Sequence, residues 1–143
     1  MATVLTKVRS PGGLVRAKMT VALADVTALG ANTTGEISFL TLPIGATILE
    51  ASVLNGGGAC TALATLTASM GINGATTAIM AAETVFAANA IAIVGQTEAQ
   101  AVYASAAARA VVVELTGNAN LSTATGLASG LIFYLTYLER QVV

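Results

Sequence analysis

The sequence predicts an all-β fold, specifically an antiparallel β-sandwich or jelly roll. Two observations lead to this prediction. Apolar and polar residues alternate with a period of two in several short segments, and turn-forming residues separate these segments at short intervals. At 143 residues the chain has the usual length of one domain. We therefore expect an extended basic N-terminal arm at residues 1–17 and a single sandwich domain at residues 18–143.

The first predicted strands of the domain lie on either side of a proline-containing turn. Residues 37–42 are rich in apolar and β-branched side chains and end at Pro43, which cannot donate a ladder hydrogen bond. Gly45 supplies the backbone freedom that a tight turn requires, and residues 47–54 then predict a second strand.

The clearest alternation lies in residues 62–70. Ala, Leu, Ala and Met occupy every second position from Ala64 to Met70, while Thr and Ser lie between them. Such a strand has one apolar face and one polar face, which is typical of a sheet with a single buried side.

Two later strands, 110–116 and 131–139, are apolar on both faces. Since a sandwich strand needs only one buried face, the second apolar face indicates a covering layer within the chain or contact with another chain. We therefore expect the last strand to supply the subunit interface. The candidate interface residues are Phe133, Tyr134, Leu135 and Tyr137.

Three dipeptides, Asn55-Gly56, Asn73-Gly74 and Gly117-Asn118, are of the kind found in hairpin turns, because Gly and Asn tolerate positive φ. Residues 78–88 are instead rich in alanine, with Ile79, Met80 and Glu83 among them, and favour a helix. We expect a short helical insertion there, between strands.

Charged residues are scarce: they make up 9% of the chain, against about 25% in an ordinary domain, while apolar residues make up 55%. A membrane span does not explain this, because the best apolar run, 127–138, is about half the length that a membrane helix needs. Disorder does not explain it either, because disorder requires low hydrophobicity. We infer that neighbouring chains cover much of the surface.

The few charges are unevenly placed. Four of the six basic residues fall within the first 18 positions and give this segment a charge of +4, while the remainder carries −5. The net charge of −1 argues against a nucleic-acid partner, which would require a basic excess. One interpretation is a solvated basic strand; the other is an arm that docks on an acidic partner. The candidate docking residues are Lys7, Arg9, Arg16 and Lys18.

The sequence offers no catalytic, cofactor or metal site. Histidine is absent, which removes the commonest general base and metal ligand. The carboxylates are scattered singly, and Cys60 is the only cysteine, so neither a disulfide nor a cysteine metal cluster can form within the chain. We expect a protein that is not an enzyme.

Several segments carry a resemblance to a known family. Residues 37–48, with the Leu-Pro-Ile-Gly-Ala turn at their centre, resemble the strand, turn, strand pattern of small head proteins from tailed bacteriophages. Residues 66–71, the turn at 115–120 and the final strand at 130–137 are similar to later parts of the same proteins. Together these segments cover most of residues 36–138.

The resemblance is to capsid decoration, or cement, proteins of jelly-roll type. It implies a virion protein on the outer capsid surface that bridges major capsid protein subunits and assembles as a homo-oligomer, commonly a trimer. From composition and motifs, we expect no cofactor, no nucleic-acid partner and no membrane span. Two alternatives stay open: another virion component, such as a tail or fibre subunit, and a small carbohydrate-binding β-sandwich.

Overall fold

In the part of the chain that the structure describes, nine antiparallel strands form two sheets. The computed structural model describes residues 4–9, 13–72, 74–87, 90–95 and 108–139. Within these residues the strands are β1 (Val4–Arg9), β2 (Leu14–Val21), β3 (Thr34–Leu42), β4 (Thr47–Asn55), β5 (Leu66–Ile72), β6 (Ala75–Thr84), β7 (Ile91–Gly95), β8 (Arg109–Gly117) and β9 (Leu131–Leu138). A single turn of α-helix, α1 (Leu23–Thr27), follows β2, and a 3₁₀ turn (Leu121–Thr123) precedes β9.

The strand order is that of a jelly roll. One sheet has five strands in the order β1-β2-β9-β4-β7, and the other has four in the order β3-β8-β5-β6. Among the described strands, only β1 and β2, and β5 and β6, are consecutive strands in the same sheet, and the chain passes to the opposite sheet between all the others. Without the edge strand β1, two four-stranded sheets remain whose strands interleave along the chain. The predicted antiparallel sandwich is therefore confirmed.

The core lies between the two sheets and is built by alternation along each strand. In β9, Leu131, Phe133, Leu135 and Tyr137 are buried, while the residues between them are more exposed. β2 alternates in the same way, and its buried residues are Val15, Ala17, Met19 and Val21. In β8 the core-facing residues are Val111, Val113 and Leu115, but Val112 between them is buried as well.

The predicted helical insertion at 78–88 is wrong for the residues that can be described. Residues up to Thr84 belong to the strand β6, and residues 85–87 are not helical. Ile79 and Met80 are both buried, and the register between β5 and β6 shifts twice. These irregularities conceal the period of two, and the burial gained by pairing with β5 outweighs the helix propensity of the alanines.

Three turn predictions have different outcomes. Ile72 at the end of β5 pairs with Ala75 at the start of β6, as the hairpin predicted at Asn73-Gly74 requires. Asn73 itself lies outside the described residues. The dipeptides Asn55-Gly56 and Gly117-Asn118 instead end β4 and β8, which continue into strands of the opposite sheet. Those two predicted hairpins are wrong, because Gly and Asn also terminate strands that leave their sheet.

The arm residues are part of a hairpin. β1 pairs along its whole length with β2, from Val4 opposite Thr20 to Arg9 opposite Val15. The expected boundary between residues 17 and 18 lies inside β2, whose residues Val15 and Ala17 are fully buried. The sandwich therefore begins before that boundary. Within the described residues, no helix has the length and apolar character to cross a membrane.

Candidate interaction surface

The solvent-facing side of the five-stranded sheet carries an unusual number of apolar side chains. Seven large hydrophobic residues among those described are exposed, and five of them lie on this face. Val8 on β1 is 65% exposed, and Ile91 and Ile93 on β7 are each 62% exposed. We call this side of the sheet the outer face. The other two exposed residues on it are Leu49 and Leu138.

Strand pairing fixes which residues share the outer face. Directly paired residues point to the same side of a sheet, so the residues that pair with the outward members of β9 also point outward. Tyr134 pairs with Lys18 on one side and with Ser52 on the other, and Ser52 pairs with Ile93. This row therefore crosses the sheet from β2 to β7 on one face.

A β-bulge adds to the apolar surface of the outer face. Ile48 pairs with Tyr137, and Glu50 pairs with Thr136, so Leu49 is an extra residue in β4. Because Ile48 and Ala51 are both buried, Leu49 and Glu50 point outward together.

The solvent-facing side of the four-stranded sheet is different in composition. In β3 the exposed residues are Thr34, Glu36, Ser38 and Thr41, and none of the exposed large hydrophobic residues described above lies on this strand. Neighbouring positions on β8 add Glu114 and Thr116. Of the two sheet surfaces, the outer face of the five-stranded sheet is therefore the one suited to contact with another protein.

The four predicted docking residues do not form one patch. Arg16 and Lys18 lie on the outer face, because their neighbours in β2, Val15 and Ala17, point into the core. Lys7 pairs with Ala17 and Arg9 pairs with Val15, so both point to the opposite side of the hairpin. They are nevertheless exposed, because β1 lies at the edge of the sheet.

Two of these basic residues already have partners within the chain. The guanidinium of Arg9 donates to Glu139 Oε1 at 2.5 Å, in an exposed ion pair of the kind that contributes about 0–1 kcal/mol. The guanidinium carbon of Arg16 lies 4.2 Å from the ring centre of Tyr134. Within the described part of the chain, the side chains of Lys7 and Lys18 form no ion pair or hydrogen bond.

Three of the four predicted interface residues are in the wrong place for a subunit contact. Phe133, Leu135 and Tyr137 point into the core and are at most 1% exposed, so they have no surface to offer a second chain. Only Tyr134 points outward, where it is partly exposed. Since both faces of this strand are apolar, the sequence does not reveal which one faces the core.

Burial raises the pKa of the Tyr137 phenol above 10.0, and the nearby Glu139 carboxylate raises it further, while Arg9 acts in the opposite direction. This shift accompanies the packing of the ring in the core and marks no reactive centre. Glu139 and Arg9 are both close enough for their charges to act on this phenol.

The described residues form no recognisable reactive site. Asp25 is buried in the first turn of α1. Its Oδ2 accepts a hydrogen bond of 3.0 Å from the backbone N–H of Ala22, which stabilises the start of this helix. Glu36 and Glu114 are paired across β3 and β8, and Cys60 is buried in the core. No three metal-ligating side chains come together among the residues that the structure describes.

Two strongly exposed apolar residues of the outer face, Ile91 and Ile93, are not identifiable from the sequence. Their signal is a short alternation in β7, with isoleucines facing outward and Ala92 and Val94 facing the core. Because all four residues are apolar, the segment does not indicate that one side remains uncovered.

Comparisons with known proteins give one informative match. No protein family model and no curated protein sequence matches the chain. Among solved structures, the fold is similar to a chain of the capsid of Ralstonia phage GP4, with 20% sequence identity and a TM-score of 0.56. The similarity covers 99% of this chain and 93% of that one. Over nearly its whole length, the chain therefore shares its sandwich fold with a chain of a phage capsid.

Proposed function

We propose that this chain is a structural protein of a phage virion. Two independent likenesses support the proposal: the sequence segments that resemble phage head proteins, and the fold shared with a chain of the GP4 capsid. The composition supports it as well, because a chain with only 9% charged residues is suited to an assembly in which neighbours cover its surface.

More specifically, we propose a decoration protein on the outer surface of an icosahedral capsid. The chain binds across neighbouring major capsid protein subunits as a homo-oligomer, with a trimer as the form that the resemblance implies. It stabilises the shell by adding contacts between subunits and carries out no catalysis. Repetition of the same contact over the shell strengthens the binding of each oligomer through avidity.

The apolar outer face is the observation that carries this proposal. Burying each 100 Å² of apolar surface contributes about 2.5 kcal/mol before the costs of association are subtracted. Ile91 and Ile93 remain exposed to water when the chain folds alone. They therefore contribute this energy only when another protein covers them.

The unpaired lysines support an acidic docking surface on the shell. Lys7 and Lys18 lie on opposite sides of the β1–β2 hairpin, so the hairpin presents positive charge in two directions. Such charges mainly guide the approach and orientation of a partner, while the apolar contacts hold it in place.

Particles assembled without this chain, mixed with the purified protein, provide the test. We expect electron cryomicroscopy to show the added protein at threefold or local threefold positions of the outer shell, and we expect the particles to disrupt at a higher temperature. A position along a tail or fibre, or binding to glycans without binding to the particle, would contradict the decoration role.

A matched pair of variants makes this test specific to the outer face. Ile93→Asp places a charge on an exposed apolar position, and we expect the folded variant to lose particle binding. Thr41→Asp makes a similar change at an exposed position on the four-stranded sheet and should leave binding unchanged.

A further inference from the structure

The residues of the outer face are arranged in rows that cross the five-stranded sheet. Paired residues form three rows across the sheet, each perpendicular to the strands, and β9 is the central strand of the five. From β2 to β7 the rows are Thr20, Ile132, Leu54 and Ile91; then Lys18, Tyr134, Ser52 and Ile93; then Arg16, Thr136, Glu50 and Gly95.

Charges of opposite sign lie on opposite sides of the central strand. Arg16 and Lys18 are on β2, while Glu50 is on β4. In the third row, Arg16 and Glu50 are at equal distances from β9, because both pair with Thr136. Within the described residues, no ion pair joins Arg16 to Glu50.

We propose that the outer face binds the outer face of a second copy of this chain, around a two-fold axis parallel to β9. Such an axis exchanges β2 with β4, so Arg16 of each copy lies opposite Glu50 of the other. Residues on β9 lie opposite themselves. Tyr134 therefore meets Tyr134, and Ile132 meets Ile132, at the centre of the contact.

The charge pattern selects this axis over the alternative. A two-fold axis perpendicular to the strands would exchange the first row with the third and would place Leu54 over Glu50. That arrangement buries a carboxylate against an apolar side chain without a partner, which is unfavourable. The axis along β9 avoids this contact and forms two ion pairs instead.

The usual geometry of packed sheets is compatible with the proposed ion pairs. Sheets that pack face to face cross at about 30°, and neighbouring strands are about 4.8 Å apart. An axis inclined by about 15° to β9 produces this crossing angle and displaces residues one strand from the axis by about 2.4 Å relative to an aligned arrangement. The flexible side chains of Arg16 and Glu50 can span this displacement.

The area of the face predicts a weak contact. Five strands and three rows cover about 24 by 20 Å, or about 480 Å², against about 800 Å² on each partner in a stable interface. We expect a dissociation constant of about 100 μM in solution and a stronger effective contact where a shell holds the copies together. On a shell, this two-fold contact covers the outer face by joining neighbouring oligomers, so Ile93→Asp weakens particle binding by removing the avidity that these contacts supply. It does not replace the contacts that close each oligomer.

Charge reversal tests the proposed pairing in the purified full-length chain, measured by sedimentation equilibrium at low salt. The pair occurs twice in the contact, so Arg16→Glu or Glu50→Arg alone should raise the dissociation constant about tenfold. The double variant restores opposite charges and should return the constant to within about threefold of the original. Glu36→Arg, an equal charge change on the other sheet, is the control and should have no effect.

Three results would overturn the inference: a chain that remains monomeric at about 1 mM, single reversals without effect, or a double variant that stays as weak as the single ones. All these positions are exposed, and thermal unfolding verifies that each variant is folded. The inference does not rest on the proposed function. A monomeric chain whose Ile93→Asp variant loses capsid binding would refute the self-contact and leave the virion role intact.

Discussion

At the scale of single residues, Gly71 shows how closely two segments of the chain approach. Between the pairs Ile72–Ala75 and Met70–Met80, β5 advances two residues while β6 advances five, so β6 bends over β5. A Cβ atom at Gly71 would lie 2.1 Å from the carbonyl oxygen of Ala75. Only glycine permits this approach, because the obstacle is backbone and cannot rotate away.

We predict that Gly71→Ala lowers the free energy of unfolding by about 3 kcal/mol or more, because β6 must move to admit the methyl group. Chemical denaturation measures the change. Gly95→Ala is the matched control: a Cβ there meets nothing within 4 Å, and we expect a change below about 0.5 kcal/mol. Equal effects of the two substitutions would refute the close approach.

A second prediction at this scale concerns Tyr137. Since burial raises the pKa of its phenol, the folded chain holds this proton more tightly than the unfolded chain does. The resulting stability is complete below about pH 10 and is lost as the pH rises through the folded pKa. We predict that Tyr137→Phe reduces the loss of stability above about pH 10.

Denaturation at several alkaline pH values measures this loss. Tyr134→Phe is the control, because it changes a tyrosine on the other face of β9 and keeps Tyr137. This variant should lose as much stability at alkaline pH as the original chain does. A Tyr137→Phe variant with an unchanged alkaline profile would contradict the assigned cause.

Asn55 also has a role that the sequence conceals. Its side-chain amide is buried and donates a 3.0 Å hydrogen bond to the carbonyl of Val85, while its backbone N–H donates to Ala90. These bonds attach the connection between β6 and β7 to the end of β4. The same Asn-Gly pair suggested a hairpin, because local sequence does not reveal partners 30 or more residues away.

We predict that Asn55→Ala lowers the free energy of unfolding by about 2 kcal/mol, because the carbonyl of Val85 then lacks a partner in a buried position. Thermal or urea denaturation measures it. Asn118→Ala, at an exposed asparagine, is the comparison and should cost less. An Asn55→Ala variant as stable as the original would contradict the role of this bond.

At the scale of elements, the strands with regular alternation were predictable and the irregular ones were not. In β5 the predicted apolar residues Leu66, Ala68 and Met70 are all fully buried. In β8 the core residues Val111, Val113 and Leu115 also lie on one predicted face, although Val112 on the other face is buried as well. β6 contains register shifts, so its apolar residues do not follow a period of two. Its alanine-rich sequence therefore favours a helix instead. The short α1 was also missed, because its five residues are too few for a helical period to emerge.

The docking residues illustrate a second limit at this scale. Four basic residues near the N-terminus indicate a charged segment, but which face each occupies depends on the register between β1 and β2. That register separates Lys7 and Arg9 from Arg16 and Lys18. This arrangement depends on the burial of Val15 and Ala17 in the core. The composition of the N-terminal segment does not reveal that burial.

The hairpin also determines how the docking arm should be tested. Deleting residues 2–17 would remove the buried Val15 and Ala17 and disrupt the sandwich, so loss of binding would be uninformative. Deleting residues 2–9 removes only the edge strand β1, which pairs with β2 alone. We predict that this shorter deletion leaves the fold intact and lowers occupancy on the capsid.

Circular dichroism verifies the fold of the shortened chain, and quantitative gel analysis of purified particles measures its occupancy. Replacing Lys7 with Glu in the full-length chain is the companion variant, because it reverses a charge and keeps the strand. Unchanged occupancy in both variants would contradict a docking role for β1.

At the scale of the whole molecule, the sandwich divides its surface into unequal sides. Five of the seven exposed large hydrophobic residues among those described lie on the outer face of the five-stranded sheet, while the four-stranded sheet presents threonine, serine and glutamate. The scarcity of charge in the sequence indicates a covered chain. The fold identifies the surface that another protein would cover, because strand pairing brings β1, β9, β4 and β7 together from distant parts of the sequence.

A reconstruction of the assembled particle by electron cryomicroscopy, at a resolution that shows side chains, tests this conclusion most directly. We predict that the chain lies on the outer capsid surface, with Ile93 and Tyr134 covered by another protein chain and with Thr41 of the four-stranded sheet exposed to solvent. A particle in which the outer face is open to solvent, or a shell that lacks the chain, would contradict the account.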